Sequence, residues 1–329
     1  MRLVFLGSPA FALPTLEAVR VAGHEIALVV TQPDRLAGRG QNSTPTPVAT
    51  YAMQHALRLW QTPSLKGREA EDRLRAVDAE AMVLAAFAAL VPASILELTR
   101  GGILNVHPSL LPRWRGAAPI QSALLAGDQA TGVSIIRLVE ALDAGPVVLQ
   151  ERVTIEPHDD YLSLEARLAA LGAGLVVRAL AEGPEPQPQD EAGGTYSRRI
   201  ERQHAHIDWS QSSDTIWNQV RAYRGWPQAY TVFEGRLLKV LRAWPLSQTQ
   251  LEQLEAADGS SRDIPEPGSV RLPSGSVARG AVVARHAAPV VATGSGALRL
   301  DEVQLEGKRA QSGETFARGY PGLQGAKLA

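Results

Sequence analysis

The first 31 residues constrain the fold most. Residues 3–7 form a short apolar run that ends in Gly. Residues 9–21 carry apolar side chains at helical spacing (Phe11, Leu13, Leu16, Val19), and Gly23 follows as a stop. Residues 25–31 are apolar again. A strand, a helix and a second strand in about 30 residues describe a right-handed crossover, the unit of a parallel sheet.

The pattern continues along the first half. Residues 48–59 and 66–77 read as helices, 81–87 and 102–107 as strands, and 117–126 as a helix. Residues 133–139 and 147–155 read as strands, and 161–180 as a long helix. This is an open, doubly wound, mostly parallel α/β sheet with helices on both faces. Residues 181–194, AEGPEPQPQDEAGG, have the composition of a linker. Beyond them, short strands are expected at 231–233, 237–243, 268–272, 281–284 and 297–305, as in a small β-barrel, with an exposed polar loop at 247–267. The expected organisation is a sheet domain over 1–182, a linker over 183–206 and a β domain over 207–329. A chain of 329 residues has room for two such domains.

Composition excludes several classes. The chain has no cysteine, so a disulfide framework, a cysteine nucleophile and cysteine metal ligands are ruled out. The first residues lack the long apolar run of a signal peptide, and no apolar stretch of about 18 residues suggests a membrane span. A cytoplasmic protein is expected, and a monomer, because no exposed apolar stripe stands out. Residues 1–195 hold 16 Lys/Arg against 21 Asp/Glu, whereas 196–329 hold 17 against 13. A mildly basic second half is compatible with nucleic acid and equally with an ordinary solvated surface.

The segment 101–121, GGILNVHPSLLPRWRGAAPIQ, is the richest in chemistry. On a strand over 103–107, Asn105 and His107 share one face, and Leu104 and Val106 take the other. An amide and an imidazole then sit near the strand's carboxyl end, where open α/β sheets place their ligand crevices. Asn can donate to a developing oxyanion and His can move a proton near neutral pH. The spacing alone leaves a capping Asn and a surface His equally open. Asp143, in LDAG, would emerge at the same edge if the strand before it runs parallel to 103–107; it could orient His107 or simply close a turn. The polar stretch 31–47, TQPDRLAGRGQNSTPTP, sets Arg35 and Arg39 among glycines and is long for a compact domain. GSPAFALP is not a G-x-G-x-x-G turn, which disfavours a nicotinamide cofactor. His204, His206 and Asp208 lack further ligands, so no metal is expected.

These residues resemble the methionyl-tRNA formyltransferase branch of the folate-dependent formyltransferases. GSPAFALPTLEAV, TQPDRLAGRG, NVHPSLLPRWRGAAPIQ, TGVSI and LDAG follow the family's motifs in order. QDEAGGTYSRRI, HIDWS, RGWPQAY and EGKR follow its later ones. The resemblance implies a Rossmann-like catalytic domain followed by an OB-type β-barrel. It implies 10-formyltetrahydrofolate as donor and the α-amine of initiator methionyl-tRNA as acceptor. Asn105, His107 and Asp143 match the catalytic trio. Ser109, Leu110, Leu111 and Pro112 match the folate-contacting turn. Arg39, with Arg35 in the same loop, matches the arginine directed at the tRNA acceptor end.

Some positions depart from the pattern. Gln41 and Asn42 stand where two lysines are usual, which should weaken phosphate attraction. Ala86-Phe87-Ala88 replaces A-Y-G, Pro146 follows LDAG where Asp is usual, and Pro108 follows His107. Two other readings stay open. One is a sugar-nucleotide or purine-pathway formyltransferase or a folate hydrolase, and the other is a non-catalytic RNA- or folate-binding relative.

Overall fold

The computed structural model describes residues 1–37, 42–247, 249–250, 280–284, 288–323 and 326–329. The chain divides into two compact units. One comprises Met1–Ile120, Gln129–Glu156 and Ser163–Arg198; the other comprises Gln121–Asp128, Pro157–Leu162 and Arg199–Ala329.

The first unit begins as its sequence dictates. β1 (Arg2–Gly7) leads through a 3-10 turn into α1 (Leu13–Val21) and then β2 (Glu25–Thr31). A small hairpin follows, β3 (Arg35–Ala37) with β4 (Asn42–Thr44), then α2 (Pro47–Gln54) and β5 (Leu59–Gln61). Next come α3 (Arg68–Arg75), β6 (Ala81–Ala85), α4 (Ala93–Leu96), β7 (Ile103–His107) and β8 (Arg115–Gly116). The chain continues through α5 (Pro119–Leu125), β9 (Ala130–Arg137), β10 (Val147–Thr154), α6 (Tyr161–Glu182) and β11 (Tyr196–Ser197). Seven strands form the main sheet in the order β10-β9-β7-β6-β1-β2-β5. The five from β7 to β5 are parallel, and the chain reverses its direction of travel beside β1. Such a reversal opens a crevice at the carboxyl ends of the strands.

Side-chain alternation sorts the two faces. Met82, Leu84 and Ile103 join Leu74 of α3 and Ile95 of α4 in one buried cluster. Val106 and Val133 face α6 instead. A Cβ on Gly172 of α6 would lie 2.5 Å from Val106 Cγ1, so only glycine lets the helix approach this closely.

The structure decides one open condition and changes one expectation. β9 runs antiparallel to β7, with Leu104 opposite Arg137 and His107 opposite Ser134. Hydrophobic periodicity carries no strand direction, so only the ladder reveals this. The stretch 31–47 is also not a plain loop, because Arg35 pairs with Thr44 in the β3–β4 hairpin. Arg39 and Gln41 lie outside the described residues. The Pro/Gln-rich stretch after α6 holds to the first unit: Gln187 pairs with Val147, and β11 runs parallel to β8.

The second unit contains α7 (Ser213–Ala222), β12 (Tyr230–Phe233), β13 (Arg236–Leu246) and β14 (Val282–Ala284). It continues with β15 (Val290–Ala292), β16 (Ala297–Leu305), β17 (Gln311–Ser312) and α8 (Gly313–Gly319). The strands form an antiparallel sheet in the order β12-β13-β16-β15-β14, with β17 also on β16. This is the β domain that the resemblance implies. The strand expected at 268–272 and most of the loop expected at 247–267 lie outside the described residues. Phe233 and Phe316 meet edge to face at 5.7 Å in its core, among Val240, Leu298 and Leu300.

Candidate active site

β7 presents Asn105 and His107 from one face, as its alternation requires, and both are buried, 6% and 4% exposed. Asp143 joins them from the loop between β9 and β10. Asn105 Nδ2 donates to Asp143 Oδ1 at 3.4 Å, and His107 Nδ1 lies 3.7 Å from Asp143 Oδ2. The same Oδ2 accepts the Gly116 amide at 2.8 Å. The three residues singled out by sequence therefore form one cluster, although β9 is antiparallel and its loop starts beside Leu104 rather than His107.

The tautomer of His107 follows from its partners. Its Nε2 lies 3.0 Å from the Trp114 carbonyl, which can only accept, so Nε2 carries the hydrogen. In the neutral ring Nδ1 is then bare and faces Asp143. Burial pushes the His107 pKa below the usual 6.5; the Asp143 carboxylate and the Trp114 carbonyl pull the other way, more weakly. Near neutral pH the ring is an unprotonated base with a carboxylate placed to stabilise its cation.

The backbone around the cluster is strained. Asp143 and Trp114 adopt φ of 47° and 62°, and Ala86 and Ala88 adopt 49° and 62°. Left-handed non-glycine residues cost roughly 1–3 kcal/mol each and concentrate at functional sites.

The turn after β7 is held internally. Ser109 is fully buried and its hydroxyl donates to the Arg113 carbonyl at 2.6 Å. Ser134 Oγ donates to the Ser109 carbonyl and accepts the Leu111 amide, and Gln150 Nε2 donates to both Leu111 O and Ser134 Oγ. Leu111 is buried, 5% exposed, while Leu110 and Pro112 keep part of their surface. Of these four residues, Leu110 and Pro112 have side-chain surface to offer a ligand. Phe87 is a core residue, 1% exposed, so the hydroxyl it lacks would have needed a buried partner.

Sequence reasoning missed an outer layer. Arg115, 2% exposed, donates through Nε and Nη2 to Gln189 Oε1 at 3.0 and 2.8 Å. It pairs with both carboxylate oxygens of Glu191 at 3.2 Å. Gln189 Nε2 donates to the carbonyls of Asp143 and Gly145 at 2.8 and 2.7 Å. The available signal was Arg115 itself, a cation in an apolar strand-turn segment, which must find a partner when buried.

Comparison with known proteins identifies the family. The formyl transferase family model matches residues 1–180, and its C-terminal domain model matches 199–321. Methionyl-tRNA formyltransferase of Ruegeria pomeroyi is 40% identical over 100% of both chains, and that of Gluconobacter oxydans is equally similar. The enzyme of that name from Dechloromonas aromatica is 41% identical over 98% of this chain and 96% of its own. Among solved structures, HypX from Aquifex aeolicus with tetrahydrofolic acid superposes with a TM-score of 0.62 at 16% identity. That match covers 98% of this chain and 48% of HypX, so it spans about half of the larger protein. The sugar 3N-formyl transferase WlaRD gives a TM-score of 0.62 at 15% identity over 94% of this chain and 99% of its own. These two support the fold. The family match and the full-length identities show that the chain belongs to the formyl transferase family, in its methionyl-tRNA formyltransferase branch.

Proposed function

We propose that this chain transfers the formyl group of 10-formyltetrahydrofolate to the α-amine of initiator methionyl-tRNA. The observation that carries the reading is the meeting of Asn105, His107 and Asp143 in one buried cluster. End-to-end identity of 40% to enzymes named for that activity adds support. The cluster also fits a formyl donor. One Asn105 amide hydrogen goes to Asp143, and the other meets no acceptor among the described residues. Leu110 and Pro112 would lie against the folate, which supplies an activated formyl carbon.

The methionyl amine, with a reference pKa of about 7.7–8.0, is substantially neutral at cytosolic pH and can attack that carbon. Asn105 donates to the formyl oxygen as negative charge develops there. His107 takes the proton that the amine loses, at Nδ1, and Asp143 Oδ2 stabilises the imidazolium. The ring then returns the proton to the departing nitrogen. Arg35 and Arg39 would meet the acceptor end of the tRNA, and residues 207–329 would contact its body. The reading places the enzyme in the cytoplasm, with its charged tRNA substrate.

The test offers the purified chain 10-formyltetrahydrofolate with methionylated initiator or elongator tRNA and follows formyl-methionyl-tRNA. Formylation of the initiator alone is expected. Folate binding without formylation of either tRNA would move the acceptor to another amine.

A further inference from the structure

We propose that Gln189 is a positioning residue for the reacting site: its side-chain amide, anchored by Arg115, holds the Asp143 loop in the left-handed turn that aims Asp143 at Asn105 and His107. The inference rests on the assignment of Asp143 to the reacting cluster.

The loop needs such a device. At φ 47° Asp143 sits in a conformation that L-residues leave unless the surroundings over-determine it. Gln189 does so from the carbonyl side, with one amide nitrogen donating to the carbonyls of both Asp143 and Gly145. The other end of the amide is fixed as well. Oε1 accepts two donors of the buried Arg115 guanidinium, so the amide cannot flip without setting a nitrogen against a cation.

β8 closes the clamp. Its Gly116 amide holds the Asp143 carboxylate at 2.8 Å, and its Arg115 anchors Gln189. Gly116 has φ 108°, and a Cβ there would lie 2.7 Å from the Ser197 carbonyl, so the strand that carries the clamp depends on glycine. Two neighbours on one short strand therefore fix the two ends of one residue. Glutamine suits the position because it is donor and acceptor at once. A glutamate would still satisfy Arg115 and would set carboxylate oxygens against two carbonyls.

The test compares the full-length parent chain with Gln189→Ala, Gln189→Glu and Asp143→Asn in the formylation assay, across pH. The expected loss in kcat for both Gln189 variants is on the order of 10- to 100-fold, the scale of a small misplacement of a reacting group. Both KM values should stay close to those of the parent. Gln189→Glu should lower the unfolding midpoint less than Gln189→Ala does, because Arg115 retains its partner. The imidazole signal of His107, which faces the Asp143 carboxylate and the Trp114 carbonyl, should titrate lower in Gln189→Ala, as it should in Asp143→Asn. A loss of stability alone would not move it. Parent-like kcat in both Gln189 variants, with Asp143→Asn inactive, would overturn the positioning role and leave the site assignment intact. A KM effect without a kcat effect would overturn it too. A fully active Asp143→Asn would remove the site assignment, and this inference with it.

Discussion

Two stretches of chain meet at the candidate active site, and they are built in opposite ways. β7 carries Asn105 and His107 between two paired neighbours, with Asn105 in register with Leu84 of β6 and Ile136 of β9. Their direction is set by alternation, and the ladder on both sides fixes their height. The loop that carries Asp143 has no ladder. Its geometry depends on Gly116, 27 residues earlier, and Gln189, 46 residues later. The strand places a side chain through local rules, whereas the loop places one through distant partners and stored strain. A change on the strand should therefore remove chemistry and keep geometry. A change around the loop should disturb geometry first.

The largest effect is expected where the strand supplies chemistry directly. Asn105→Ala should lower turnover on the order of 10²- to 10³-fold, the usual loss for one oxyanion donor. The backbone of β7 should persist, since its ladder does not involve the amide. Single-turnover formylation measures this. Turnover near the parent's would show that the strand only supports the site and that the donor comes from elsewhere.

The same division decided what could be read from the sequence. Asn105 and His107 were legible because a five-residue strand has only two faces. The approach of Asp143 was legible only on the condition of a parallel β9, and it occurs with β9 antiparallel, because periodicity says nothing about strand direction. Gln189 and Glu191 were not legible at all. They sit in a Pro/Gln-rich stretch whose composition describes a spacer, and their partner Arg115 is 74 and 76 residues away. In the second unit, α7 ahead of β12 and α8 after β17 went unread. Each starts at a serine whose hydroxyl caps the third residue on, Ser212 to the Thr215 amide and Ser312 to the Thr315 amide. That capping pattern was available in the sequence.

A smaller effect should follow from the burial of His107. Its folded pKa lies below the 6.5 of an exposed imidazole, chiefly through desolvation. From about one pH unit above 6.5 both folded and unfolded rings are essentially neutral and the contribution is flat. As pH falls below that value, the unfolded ring takes up a proton that the folded ring refuses. The unfolded state then binds more protons and stability drops, by at most about 1.4 kcal/mol per pH unit for one group. Urea unfolding of the parent and of His107→Asn at pH 8 and pH 5.5 isolates this term. The parent should lose more stability than the variant on acidification, and equal losses would mean that the ring is not held neutral by the strand.

The smallest effect tests strain on the loop side. Ala88 is exposed and has φ 62°, at the position where the family pattern A-Y-G places glycine. A left-handed alanine costs roughly 1–2 kcal/mol, which Ala88→Gly would relieve. Glycine also widens the unfolded ensemble, which takes back about 0.4–1 kcal/mol. The two terms have opposite signs and the first is larger, so a net gain of about 0.5–1 kcal/mol is expected in the urea midpoint. The change removes only an exposed methyl group and leaves Asn105, His107 and Asp143 in place, so turnover should hold. A stability gain at constant turnover would mark this strain as a by-product of the missing glycine. A gain that comes with lower turnover would mean that the strained turn, like the one at Asp143, helps to hold the site in its working shape.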